Sequence, residues 1–272
     1  EDNGMGDYIL QVLPIPLVYL CIVILILLAC EGGFRIGHHL HRKHQDAGAH
    51  SSVGPIVGGM LGMLAFVLAF TFSMAATQHG QRKHDVLAEA NDIGTAYLRA
   101  DFLGEPRAGE VRDLLREYLE IRVAAAQPGG DWRPALKRSL EIHELLWAQV
   151  SPGAMEQPNA VAALLVTSIN EVIDMHEQRF SDAVRARIPG SIWLGLLVIT
   201  VLTMGTLGLQ VGLSGKRRLV ALIPISMAFA VLATLIVDLN RPQGGLITVS
   251  QQSMIDVQDS MGKAPSRQVP AP

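Results

Sequence analysis

PIVGGMLGMLAFVLAFTFSMAAT at 55–77 runs without a breaker into QHGQRKHDVLAEANDIGTAYLRADF at 78–102, and these two stretches together decide the fold. The first carries no charge, and at about 1.5 Å of rise per residue it covers the roughly 30 Å hydrocarbon thickness of a bilayer. The second is polar and amphipathic, with no proline. The pair therefore predicts one helix that crosses a membrane and continues out of it, interrupted at most near Gly80. Gly58, Gly62, Ala65, Ala69 and Ala76 place small side chains on this span, and small residues let helices approach closely in lipid. The span is expected to pack against protein as well as lipid.

Three more apolar runs flank this one. The N-terminal segment 1–30 holds YILQVLPIPLVYLCIVILILLAC from Tyr8 to Cys30; 188–213 and 219–239 are the third and fourth candidates. They account for a composition that is 49% hydrophobic in 272 residues, with a mean hydropathy of +0.30. The acidic EDNGMGD before the first run, and the run's length, favour a span over a cleaved leader. Pro14 and Pro16 predict a kinked or interfacial entry. Between the spans lie a polar, histidine-rich loop over 31–54, a basic turn over 214–218 and a tail over 240–272 whose last ten residues read as disordered.

The long segment 78–187 reads as a helical extramembrane domain. After the helix leaving the second span, apolar residues recur at helical period over 107–125, 133–150 and 159–187. His143 and His176 fall on apolar faces, with Leu140 and Trp147, and with Val172 and Phe180. Breaks are expected at Gly104-Glu105-Pro106, at Gln127 to Gly130 and at Ser151-Pro152-Gly153. No alternating strand pattern occurs. The fold class is thus an all-α membrane protein: four transmembrane helices with a helical bundle between spans two and three.

Four spans put both termini and the bundle on one side. Basic residues near span ends mark the cytoplasm. Here Arg35, Arg42, Lys43, Lys216, Arg217 and Arg218 on the short-loop side balance Arg82, Lys83, Arg179, Arg185, Arg187 and Arg241 on the other.

The net charge is −3, and no basic stretch interleaved with aromatics suggests nucleic acid as a partner. Cys21 and Cys30 both lie inside the first span, in neither a disulfide pattern nor a zinc spacing. Phosphate-binding, nucleophile-elbow and HExxH motifs are missing, so neither an enzyme nor a cofactor is expected. Two weaker candidates stand out. His38 and His41, among the loop histidines His38, His39, His41, His44 and His50, could face one metal ion at spacing three. Asp238, at the end of the fourth span, could pair with Arg241 at spacing three or shape a corner with it.

Three stretches carry a likeness. LAFVLAFTFS at 64–73, EANDIGTAYLRADFL at 89–103 and DLNRPQGGLITVS at 238–250 resemble the bestrophin-like family of bacterial membrane proteins, which is related by proposal to the bestrophin anion channels. The resemblance implies a homo-oligomer, a pentamer in the bestrophins, in a bacterial inner membrane, with a helical domain beside the spans. It implies a pore narrowing at a hydrophobic neck on the second span. FVLAF resembles that neck, and its phenylalanines are Phe66 and Phe70. Gly62 stands one turn earlier, where the neck has a branched apolar residue. The family's DxDRP corner corresponds to Asp238, Asn240, Arg241 and Pro242. The acidic cluster of calcium-activated members is reduced to Asp238, so calcium gating is not implied.

Independently of the likeness, Gly62, Phe66, Phe70, Ser73 and Thr77 share one helix face, a stripe passing from aromatic to hydroxyl. Several such helices around an axis would form a dry constriction opening into a polar vestibule. The function expected is an oligomeric channel for small inorganic ions in the lipid bilayer. The alternative is a membrane-anchored helical scaffold or sensor that binds a protein partner. A transporter would show inverted repeats and midplane charges, and neither is visible. Glu89, Asn91, Asp92, Arg99 and Asp101 in the middle motif are expected to form ion pairs between subunits.

Overall fold

The computed structural model describes residues 13–43, 53–127, 132–156, 159–184, 188–214, 219–241 and 244–263. Among these, eight α-helices occur: α1 (Ile15–Lys43), α2 (Val53–Arg99), α3 (Arg107–Ala125), α4 (Trp132–Glu156), α5 (Ala160–Val184), α6 (Gly190–Leu213), α7 (Leu219–Asn240) and α8 (Gln252–Lys263), with a short 3-10 turn at Ala100–Leu103. Four of them, α1, α2, α6 and α7, are long and apolar enough to cross a membrane. The chain forms two compact units, Glu1–His79 with Arg187–Ile247, and Gly80–Ala186 with Thr248–Pro272.

In the first unit α1 packs along α6 and α7. Ile26, Cys30, Leu64, Leu68, Ala75, Leu196, Met204, Ala230 and Ile236 form its buried core. The Pro14 carbonyl accepts from Leu17 N–H at 2.9 Å and Val18 N–H at 3.1 Å, which opens the helix at Ile15; Tyr8 lies outside the described residues. The loop expected over 31–54 is corrected. α1 runs on to Lys43, and only 44–52, with His44 and His50, lie outside the described residues. Gly33 and Gly37, which look like breakers in the sequence, are packing positions instead. A Cβ on Gly33 would stand 1.8 Å from the Gly205 carbonyl oxygen, and one on Gly37 would stand 2.3 Å from that of Leu209. From the other side, Gly208 and Gly212 lie as close to the backbone of Cys30 and Phe34. Two helices that touch main chain to main chain gain dispersion along their whole contact, which outweighs the weak helix propensity of glycine. Glu31 and Arg35 add an ion pair one turn apart at 2.9 Å.

The corner after α7 is built on Asp238. Its carboxylate, fully buried, accepts from Leu246 N–H and Ile247 N–H, each at 3.0 Å. Gly245 is needed there because a Cβ would come within 2.2 Å of Asp238 Oδ1, and Gly244 turns the chain with φ 81°. Arg241 Nη2 donates to the Leu13 carbonyl at 2.7 Å, and Asn240 Oδ1 accepts from Ile188 N–H at 3.1 Å. Asp238, Asn240 and Arg241 thus each bond to main chain at this corner.

The second unit is a helical bundle. Val86, Ala90, Ile93 and Tyr97 of α2 meet Val111, Leu115 and Leu119 of α3, Ile142, Leu146 and Val150 of α4, and Leu165, Ile169 and Val172 of α5. Gly80 does not interrupt α2, since one exposed glycine costs only about 1 kcal/mol and the turns after it are tied into this core. The break expected at Ser151 to Gly153 is also corrected: α4 passes through Pro152 to Glu156. Its last turn is clamped by Arg107, whose two terminal nitrogens each reach a Glu156 carboxylate oxygen at 2.8 Å. Asn159 caps α5 by accepting from the N–H groups of Val161 and Ala162 at 2.9 Å. The tail is not uniformly irregular, because α8 brings Met254, Val257 and Met261 onto the bundle core. The last ten residues are almost wholly outside the described ones, as is most of the turn at 214–218.

Candidate functional site

The stripe singled out on the second span stays together in the structure. Gly62, Phe66, Phe70, Ser73 and Thr77 are all exposed on one face of α2, while Leu64, Leu68, Thr71 and Ala75, on the other, are buried in the chain's own core. Phe66 is 73% and Phe70 59% exposed, the profile of a face with no partner in one chain. Of the buried hydroxyls in the spans, Thr71, Ser226 and Thr234 bond to main chain and Thr203 does not. Thr71, Thr206, Ser226 and Thr234 each return their proton to a carbonyl one turn back, at 2.7 to 2.9 Å. That bond lets a hydroxyl sit in an apolar setting. Among the described residues, the Ser73 and Thr77 hydroxyls make no such bond.

His38 and His41 stay three residues apart on α1, and His44 and His50 lie outside the described residues. His38 lies on α1 stacked against Phe34, with ring centroids 5.8 Å apart, and His41 follows one turn later. Among the described residues no group of three or more His, Cys, Asp or Glu is placed to hold a metal ion.

A second polar centre, inside the bundle, was only half visible in the sequence. Glu89, expected to reach a neighbouring subunit, is completely buried within its own chain. Its carboxylate accepts from Arg122 Nε at 2.9 Å, from Arg179 in a shorter contact and from the Tyr118 hydroxyl at 2.6 Å. Arg99 also bonds within its own chain, at the surface, donating to the Leu164 carbonyl at 3.0 Å, and Asp101 pairs with Arg112. The reason is periodicity: position 89 falls in the register of Val86, Ala90 and Ile93, which faces the core. A charge inside an apolar stripe was the available signal, and so were His143 and His176 on apolar faces of the facing helices.

These histidines complete the centre. The rings of His143 and His176 meet edge to face with centroids 4.8 Å apart, and His176 Nδ1 lies 3.0 Å from the Tyr118 oxygen. Tyr118 has one proton, and it goes to Glu89; His176 must therefore carry hydrogen on Nδ1 and donate to Tyr118. The tautomer is fixed by that chain of bonds. Although burial alone would raise the Glu89 carboxyl, the Arg122 and Arg179 guanidiniums hold it down at about 2. Burial, the same burial beside a carboxylate, pushes the Tyr118 phenol well up. Burial, then the Arg122 charge, pulls His143 from 6.5 to about 4 and His176 to about 3. Both rings are neutral in the folded chain at neutral pH.

The sign of the resulting acid response follows. A group whose folded value lies below its unfolded one stabilises fully above the unfolded value. The two histidines thus contribute in full above 6.5, and their contribution drains away as pH falls toward about 4 and about 3. The Tm of the purified protein is expected to drop through that window and to drop less in His176→Leu. A wild-type Tm that stays level there would contradict it.

A family model described as a bestrophin-like domain matches residues 23–254, most of the chain. The chain belongs to the bestrophin-like family. Comparison with curated proteins and with solved structures finds no match. Family membership and four apolar helices make this bestrophin-like chain a multi-pass membrane protein, consistent with a protein of channel type. The matched region contains both the α2 stripe and the Glu89 centre.

Proposed function

We propose that this bestrophin-like protein is an oligomeric ion channel of a bacterial inner membrane, passing small inorganic ions through a central pore. Copies of α2 surround the axis, five by family resemblance, with Phe66 and Phe70 as the narrow apolar neck. Ser73 and Thr77 continue the lining beyond it, and Gly62 stands one turn before it.

The observation that carries the proposal is the two-faced second span. A span anchoring a scaffold needs one face on its own chain and an apolar face for lipid. Here the second face ends in Ser73 and Thr77, exposed and without the carbonyl bond that Thr71 makes. Hydroxyls so placed suit water better than acyl chains. Paired phenylalanines facing an axis would exclude water from a short segment, and such constrictions gate by dewetting.

Replacing Phe66 and Phe70 together by alanine is expected to raise the resting current in planar bilayers several-fold, because the widened segment wets more readily. The comparison is with wild-type protein reconstituted at the same density. No current from either protein would leave the scaffold reading in place.

A further inference from the structure

We propose that the outer face of α1 binds an anionic phospholipid, its acyl chains lying along Leu17, Ile24 and Leu28 and its phosphate held by Arg35, Arg42 and Lys43. This goes beyond the channel reading and does not depend on it.

One side of α1 is taken up by α6, which Gly33 and Gly37 meet main chain to main chain. On the other side Leu17, Ile24 and Leu28 are exposed, and intervals of seven and four keep them on one helix face. In steps of four and three from Leu28 the same face reaches Gly32, Arg35, His39 and Arg42, with Lys43 beside it, and all of these are exposed. Nothing lies within 4 Å of a Cβ placed on Gly32, so the face has a notch where it changes from apolar to basic.

That change is sharp because α1 stays helical past its last apolar turn. A loop after Cys30 would let the cations disperse, whereas the helix to Lys43 holds them in one column. Glu31 is the one acid on α1, against Arg35, Arg42 and Lys43. It accepts from Arg35 Nε at 2.9 Å, and the arginine side chain is still 77% exposed. Among the described residues Arg42 and Lys43 form no ion pair. Arg42 stands about 21 Å beyond Leu28 along the helix axis. Side chains on a helix lean toward its N-terminus, and α1 leaves the bilayer by its C-terminus, so these long cations reach back toward the headgroup layer. A lipid phosphate in that layer meets them with opposite charge while its chains meet the leucines. A zwitterionic lipid brings an ammonium that cancels much of this attraction, which is why the face selects an anionic one.

The test is native mass spectrometry of the full-length protein released from micelles holding equal amounts of phosphatidylglycerol and phosphatidylcholine with the same acyl chains. Wild type is expected to retain phosphatidylglycerol in preference. Arg42→Gln combined with Lys43→Gln should weaken that retention about thirtyfold, about fivefold for each cation near the surface. Arg133→Gln combined with Lys137→Gln, at two exposed positions of α4, is the control and should match wild type. Circular dichroism checks that each variant keeps its helices. Equal retention of the two lipids by wild type overturns the proposal, and so does a preference that survives in the α1 variant or falls equally in the control. Inorganic phosphate that displaces the lipid at millimolar concentration would also overturn it, since the face would then be a site for a free anion.

Discussion

Replacing Glu89 by leucine is expected to destabilise the helical bundle by about 3–5 kcal/mol, the usual result of removing one partner from a buried ionic cluster. The carboxylate is completely buried and is the shared acceptor for Arg122, Arg179 and Tyr118. Without it two guanidiniums remain with, among the described residues, no other acidic contact of similar closeness, and the Tyr118 hydroxyl loses its acceptor. Glu89→Gln keeps the shape and an acceptor oxygen but not the charge, so it should fall between leucine and wild type. Thermal unfolding in detergent, followed by circular dichroism, reads the series. Arg138→Ala is the control: its ion pair with Glu117 is as short, at 2.6 Å, yet both side chains are 40% exposed, and solvent screens it. Equal shifts in Tm for Glu89→Leu and Arg138→Ala would mean that the buried cluster stabilises nothing that a surface pair does not.

The contrast between those two ion pairs also explains what the sequence could and could not disclose. The spans were legible because roughly 30 Å of hydrocarbon leaves no tolerance for charge, which marks them residue by residue. Bundle helices such as α3 were legible because one face must be apolar to be buried, and proline and glycine separate them at 104–106. The Glu89 cluster was obscured because charge is ordinarily a surface signal. Its members come from α2, α3, α4 and α5, and only their shared depth makes them a unit. Each member, though, breaks the polarity of its own stripe: Glu89 among Val86, Ala90 and Ile93, Tyr118 between Leu115 and Leu119, His176 after Val172. Coincident exceptions on facing helices are a sign that can be sought in a sequence.

Glycine misled for the opposite reason. It is the residue of turns and also the residue of the closest helix contacts, and composition alone cannot separate these uses. EGGFRIG after the first span looks like the start of a loop until α6 is placed beside it. Spacing held the clue: Gly33 and Gly37 are four apart, and Gly208 and Gly212 repeat that interval on the partner helix. For the second span the position was different. Period alone put Gly62, Phe66, Phe70, Ser73 and Thr77 on one face, and the described residues leave that face uncovered.

The glycine contact yields the second large effect, and one with opposite signs at adjacent positions. Gly32→Ala is expected to stabilise the first unit by about 0.5–1 kcal/mol, because nothing lies within 4 Å of the added methyl and alanine is the better helix former. Gly33→Ala should destabilise it by about 1–3 kcal/mol, and Gly33→Leu by more, as overpacking does where neighbours cannot yield. The neighbour here is the Gly205 carbonyl oxygen, 1.8 Å from the new Cβ, and main chain in a helix cannot rotate aside. α1 and α6 would have to separate, and the contacts of Cys30 with Gly208 and of Phe34 with Gly212 would open together, because all four lie along one line of approach. Gly208→Ala should reproduce the Gly33 effect from the other helix. Once either substitution has spread the helices, adding the other should cost less than it does alone, giving a negative departure from additivity in a double-mutant cycle. Unfolding in increasing fractions of denaturing detergent measures all of these proteins on one scale. Matching stabilities for Gly32→Ala and Gly33→Ala would show that the two helices do not meet backbone to backbone.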